Sequence, residues 1–347
     1  NEIGEQPIHV ACWEGHVDVV KWLLEQEGVS LTAEGVVGMQ PIHYASRQGH
    51  LDLVTWLVQQ DDVSLTDEDD IGMQPIHDAS DNGHLDVVKW LAQQNGVSLT
   101  ADTKQGSQPI HLACREGHLE LVKWLLEQEE VSLTVQDNHG CHPIHLACGG
   151  GHLELAKWLM QQEGVSIIEK NEIGEQPIHV ACWEGHVDVV KWLLEQEGVS
   201  LTAEGVVGMQ PIHYASRQGH LDLVTWLVQQ DDVSLTDEDD IGMQPIHDAS
   251  DNGHLDVVKW LAQQNGVSLT ADTKQGSQPI HLACREGHLE LVKWLLEQEE
   301  VSLTVQDNHG CHPIHLACGG GHLELAKWLM QQEGVSIIEK NEIGEQP

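Results

Sequence analysis

Proline recurs every 34 residues along the chain, at Pro7, Pro41, Pro75, Pro109 and Pro143 and onward to Pro347. One pattern surrounds each of the first ten: QPIHVACWEGHVDVVKWLLEQEGVSLT starts at Gln6 and QPIHYASRQGHLDLVTWLVQQDDVSLT at Gln40. This period constrains the fold more than any other feature. A unit of that size cannot bury a core alone and has to stack on its neighbours. The length resolves as 347 = 2 × 170 + 7, because residues 171–340 repeat 1–170 without a change. The units therefore run 1–34, 35–68, 69–102, 103–136, 137–170, 171–204, 205–238, 239–272, 273–306 and 307–340, with a partial unit at 341–347. One continuous array is expected, in place of the two or three domains that length alone suggests.

Composition sets the outer limits. Fifty-six Asp+Glu against 16 Lys+Arg give a formal net charge of −40, which repels nucleic acid and anionic membrane surfaces. Apolar runs span only a handful of residues, so no transmembrane segment is expected. The first residues carry neither a basic stretch nor an apolar core, so no signal peptide is expected either. With 40% hydrophobic residues the chain is that of a folded protein, not an acidic disordered tail.

Each unit reads as two helices and a loop. Pro7 suits a first helical position, where its missing N–H costs nothing. Ile8 and Ala11 share a face, and Gly15 ends the helix after about two turns. A second helix is expected over 17–26, with Val17, Val20, Leu23 and Leu24 as its apolar stripe and Asp18, Lys21 and Glu25 on its wet side. Acid–Lys pairs three apart recur as Asp86/Lys89, Glu120/Lys123 and Glu154/Lys157, each contributing ~0.2–0.5 kcal/mol. The remaining segment, 28–40, carries a glycine turn at Gly38 and fits an extended loop or hairpin.

These residues resemble the ankyrin repeat. Pro7 to Ala11 match its proline–apolar–His–x–Ala element, Gly15-His16 its Gly-His, and Trp22-Leu23-Leu24 its Leu-Leu positions, in order and in all ten units. A tetratricopeptide array shares the period, but it has two longer helices with proline near the end of the second. The resemblance implies an all-α solenoid, a superhelical stack of helix-turn-helix units with extended hairpin-like loops. Two departures stand out. The family's unit is 33 residues, and the extra one is expected in 25–28. The family's Thr before the proline is replaced by Gln6, Gln40, Gln74 and Gln108, and by His142 in the fifth unit, so a Thr–His side-chain bond has to be rebuilt through an amide or lost.

Twenty of the 24 histidines form two ladders, one through His9, His43, His77, His111 and His145 and the other through His16, His50, His84, His118 and His152. The resemblance makes both ladders framework, with ring nitrogens satisfied by backbone groups. His139, Cys141, His145 and Cys148 are the strongest metal candidates, since zinc takes Cys and His ligands. Cys141, however, precedes Pro143 and falls outside the helix, so no metal site and no cofactor are expected. Cys12, Cys114, Cys148 and Cys182 share one position, which Ser46 and Ser80 hold elsewhere. Stacked helices lie ~8–10 Å apart, beyond disulfide reach, so these are small buried fillers. Trp22, Trp56, Trp90, Trp124 and Trp158 recur at one position and are expected to pack an inter-repeat seam. No GxSxG, P-loop or HExxH motif is present, and Gly149-Gly150-Gly151 lacks the context and lysine of a phosphate loop. An enzyme is not expected.

Comparing units separates framework from variable positions. The residue after PIH is Val10, Tyr44, Asp78, Leu112 or Leu146; three further on stand Trp13, Arg47, Asp81, Arg115 or Gly149. The loops before the prolines read NEIGE, GVVGM, DDIGM, TKQGS and DNHGC. The resemblance places these first-helix and finger positions on a binding face, where Trp13, Val36, Val37, Met39, Tyr44, Arg47, Ile71 and Met73 would carry partner contacts. From Asp61 to Asp86 there are nine acids and no Lys or Arg. Without EF-hand ligand spacing, only non-specific divalent cations are expected on this acidic face. No polar cap distinguishes the end repeats. Ile8, Val17, Val20 and Leu24 are therefore expected to stack end to end, the open-ended geometry that makes filaments. The sequence leads to a structural filament associating with itself; the alternative is a scaffold that binds another protein on its fingers. The resemblance implies a cytoplasmic location, and a surface filament would be extracellular.

Overall fold

A computed structural model of the chain describes residues 4–338, 340, 341, 344, 346 and 347. Asn1–Ile3 of the first loop, Glu339, and Glu342, Ile343 and Glu345 of the partial unit lie outside the described residues. The chain forms two compact units, Asn1–Ile173 and Gly174–Pro347, with the boundary inside the loop that opens the second block.

The described residues contain twenty α-helices and no strand, so the fold is all-α. In the first unit the helices are α1 (Pro7–Trp13), α2 (Val17–Leu24), α3 (Pro41–Arg47), α4 (Leu51–Leu57), α5 (Pro75–Asp81), α6 (Leu85–Leu91), α7 (Pro109–Arg115), α8 (Leu119–Leu126), α9 (Pro143–Gly149) and α10 (Leu153–Leu159). The second unit repeats the order with first helices α11 (Pro177–Glu184), α13 (Pro211–Arg217), α15 (Pro245–Asp251), α17 (Pro279–Arg285) and α19 (Pro313–Gly319). Within each unit every first helix packs on its own second helix and on the first helices of adjacent repeats. The second helices stop two or three residues before the expected end, α2 at Leu24 and α4 at Leu57. At Gln26 the backbone N–H bonds back to the Leu23 carbonyl and the side chain caps the Trp22 carbonyl at 2.9 Å.

The core is one repeating layer. Ile42, Ala45, Leu53, Val54 and Leu57 of the second repeat are fully buried, as are their counterparts Ile76, Ala79, Val87, Val88 and Leu91. A side chain of this size contributes ~1.5–3 kcal/mol on full burial, so most of each repeat's stability is shared with its neighbours.

Both histidine ladders are structural, and their bonds explain the Gln-for-Thr exchange. The Gln6 backbone N–H donates to His9 Nδ1 at 3.0 Å, and His9 Nε2 bonds the Ala33 carbonyl at 2.8 Å. His43, His77 and His111 repeat the arrangement. The donor to the ring is a backbone amide that any residue except proline supplies, so neither Thr nor a side-chain amide is needed. The second ladder ties repeats together: His50 Nε2 reaches back to the Trp13 carbonyl at 2.8 Å, and His84 to that of Arg47 at 3.0 Å. Gly15 makes room for it. It sits at φ +74°, and a Cβ there would come within 2.6 Å of the His50 ring. The Gly-His signature is thus one contact read twice, glycine in one repeat and imidazole in the next.

The tryptophans are half-buried along the second helices instead of packed into a closed seam, except Trp22, which is exposed. Lys21 Nζ lies 5.4 Å from the Trp56 ring centre and Lys89 Nζ 5.7 Å from that of Trp124. Lys123 and Lys157 pair instead with Glu120 and Glu154 at 2.7 and 3.0 Å. Chain length accounts for the division. Asp86, one methylene shorter than glutamate, turns back to accept from the Val87 N–H and leaves Lys89 to the aromatic ring.

Candidate functional site

The fingers between repeats bend back on themselves like hairpins but form no strand. One backbone bond closes each of four fingers in the first unit: Gly35 N–H to the Met39 carbonyl, Asp69 to Met73, Thr103 to Ser107 and Asp137 to Cys141, all at 2.9–3.1 Å. A second bond runs from finger to finger, as in Asp70 N–H to the Val37 carbonyl and Lys104 N–H to that of Ile71. The tips therefore stand at a fixed spacing, although each is only a few residues long.

Side chains inside the loops set finger shape. Asp69 Oδ1 accepts from the Ile71 and Met73 amides at 3.0 and 2.8 Å, and Asp137 Oδ1 does the same for His139 and Cys141. Thr103 Oγ1 accepts from Ser107. In the second repeat the corresponding residue is Gly35, which has no side chain to offer. The Tyr44 hydroxyl replaces it, accepting the Val36 N–H at 3.0 Å. A Cβ on Gly35 would lie 2.5 Å from that hydroxyl, so glycine and tyrosine fit only as a pair. The same finger places Val37 at φ +48°, and its counterpart Val207 at φ +45°. A β-branched residue there is strained.

The eight residues expected to meet a partner fall into two groups. Tyr44, Met39 and Met73 are buried and lie beneath the face. The Tyr44 ring stacks on His9 with centroids 5.3 Å apart and meets the edge of Trp13 at 6.2 Å. Val37, Ile71 and Trp13 are 46%, 47% and 40% exposed, and Val36 and Arg47 are half-buried beside them. Much of the variation between repeats is read by the neighbouring repeat. Trp13 meets Tyr44, Arg47 Nη1 comes within 4.0 Å of Asp78 Oδ1, and Arg115 Nη2 bonds Asp81 Oδ1 at 2.6 Å. All four arginines of the chain, Arg47, Arg115, Arg217 and Arg285, stand in this row.

Of the residues expected to stack end to end, Ile8 and Val20 are buried inside the first unit, and Val17 and Leu24 are half-buried. Three of the four metal candidates serve the structure, and the fourth, His139, is exposed in its loop. His145 takes the His142 N–H on Nδ1 and bonds the Glu169 carbonyl through Nε2. Cys148 is buried, and Cys141, placed in a loop by the sequence, is buried there with its sulfur accepting from Asn171. Among the described residues no group of three His, Cys, Asp or Glu is arranged to hold a metal. All eight cysteines are thiols, and burial pushes that of Cys12 up to about 12, away from reactivity. Two of the four acids of 67–70 serve the loops: Asp67 Oδ2 accepts from Gln40 at 3.0 Å, and Asp69 holds its finger. No helix among the described residues is long and apolar enough to cross a membrane.

Stacked helix pairs joined by bonded fingers define a repeat scaffold of the kind that binds proteins. A family model described as ankyrin repeats (3 copies) matches residues 1–69, 42–137, 110–205, 200–273 and 266–341. The chain belongs to the ankyrin-repeat family, and its class is that of protein-interaction scaffolds. No curated protein sequence matches it.

Proposed function

We propose that the chain is a non-catalytic scaffold that grips a protein partner on its finger tips, with Val37 and Ile71 as apolar anchors and Trp13 and Arg47 flanking them. Val207, Ile241, Trp183 and Arg217 offer the same set in the second unit. The observation that carries this reading is Val37. It is apolar, exposed and β-branched, and it stands in a left-handed conformation that costs about 1–2 kcal/mol. Glycine could offer the same carbonyl to Asp70 without that strain, and strain of this kind gathers where a surface is used. End-to-end assembly has no comparable support, since Ile8 and Val20 are already covered.

Replacing Val37 and Val207 by glycine separates folding from binding. The double variant is expected to unfold at higher denaturant, by ~0.5–1 kcal/mol per site after the added unfolded-state freedom of glycine is subtracted. It is also expected to retain less of whatever protein the parent chain captures. A variant that is less stable, or that captures its partner undiminished, contradicts the proposal.

A further inference from the structure

The position after PIH is apolar or aromatic in four of the five repeats of a block: Val10, Tyr44, Leu112 and Leu146. In the third it is Asp78. Its side chain is completely buried between α3 and α7, and neither carboxylate oxygen has a hydrogen-bond partner. The nearest cation, Arg47 Nη1, stops 4.0 Å away and is turned toward the Met39 sulfur at 3.8 Å. Asp248 in the second unit repeats the situation, with Arg217 at 3.7 Å and both oxygens again unpartnered.

The charges around Asp78 are few. Arg47 faces it from α3, Asp69 from the preceding finger and Asp81 from its own helix; Arg115 on α7 is spent on Asp81, and α6 turns Val87 and Val88 inward. A bare carboxylate in this site lacks solvation, while a carboxylic acid is tolerated. We propose that the α3–α5 junction is a proton-operated latch, shut while the Asp78 carboxyl carries a proton and loosened when it becomes a carboxylate. The loosened junction lets the carboxylate swing out to Arg47 and water, and it frees the finger that carries Ile71. Burial, opposed only in part by Arg47, holds the acid well above the ordinary carboxylate range. The native state therefore keeps its proton at pH values where an opened junction has lost it. The latch is independent of what the fingers bind.

Amide hydrogen exchange tests it, after correction for the intrinsic pH dependence of exchange. Because the two blocks give identical peptides, both copies are changed together. In the parent chain, opening of residues 69–81 is expected to rise above pH ~4, relative to that of residues 137–149, by up to about tenfold per pH unit until the native acid ionises. Residues 137–149, with His145 matching His77 but Leu146 in place of Asp78, are the reference. Asp78→Leu with Asp248→Leu abolishes the slope. Arg47→Met with Arg217→Met keeps it and carries its upper plateau to higher pH. A parent segment 69–81 that tracks 137–149, or a leucine variant that retains the slope, overturns the latch.

Discussion

Gly35→Asp together with Gly205→Asp is expected to destabilise the chain by ~2–4 kcal/mol per site, and Tyr44→Leu with Tyr214→Leu is expected to recover much of that loss. Gly35 has a negative φ, −106°, and the cost is argued from contact. Its Cβ would meet the Tyr44 hydroxyl at 2.5 Å and His9 Nδ1 at 3.0 Å. Overpacking of that kind costs ~1–3 kcal/mol, and the carboxylate adds burial next to a phenol that has no room to move. Tyr44→Leu alone strands the Val36 N–H, at a cost of ~1–3 kcal/mol. In the double exchange the finger acquires the chemistry of the third repeat, where aspartate accepts two loop amides and the tyrosine position is held by a residue without a hydroxyl. A double-mutant cycle should give a favourable coupling of ~1–3 kcal/mol. Additive single effects would show that hydroxyl and glycine are not paired.

Acidification is the second large effect. Burial lowers the pKa of His43, His77 and His111, and of His213, His247 and His281. The reason is visible in the bonds: Nδ1 of His43, His77 and His111 accepts a backbone N–H, and a proton there would replace an attraction by a clash of two donors. Below the ordinary histidine value of ~6.5 the unfolded chain takes up protons that the native rings refuse. Stability is therefore complete above that value and falls as pH drops below it, at up to about 1.4 kcal/mol per pH unit for each ring. Asp78 and Asp248 work in the opposite sense, since their raised values make stability fall as pH climbs above ~4. Six rings outweigh two acids below ~6.5. Urea midpoints should fall as pH drops from about 7 to about 5. A midpoint that is unchanged between about pH 7 and about pH 5 would remove the histidine account.

Repeating features were legible in the sequence because a period exposes them. Pro7, Gly15, His9 and His16 each recur at fixed spacing, and each is explained by a local bond or a neighbour one repeat away. What the period did not reveal is which way a variable residue faces. Tyr44, Met39 and Met73 look like surface choices because they differ between repeats, yet all three are buried. In this seven-residue helix Tyr44 meets His9 and Trp13 of the preceding first helix and Arg47 approaches Asp78 of the following one, so the adjoining repeats select them. Trp13 with Tyr44 and Arg115 with Asp81 show variation serving the order of the stack. The Gly35–Tyr44 exchange is the signal that was readable and missed: where the finger loses its polar residue, the helix gains a hydroxyl.

The central claim, that the finger tips form the partner face, is tested most directly by site-specific photocrosslinking in the cell. A photoreactive side chain at position 37 or 71 should capture one discrete protein, and the same group at position 25, beyond α2, should not. Equal labelling from all three positions, or crosslinks from the tips only to other copies of this chain, would contradict it.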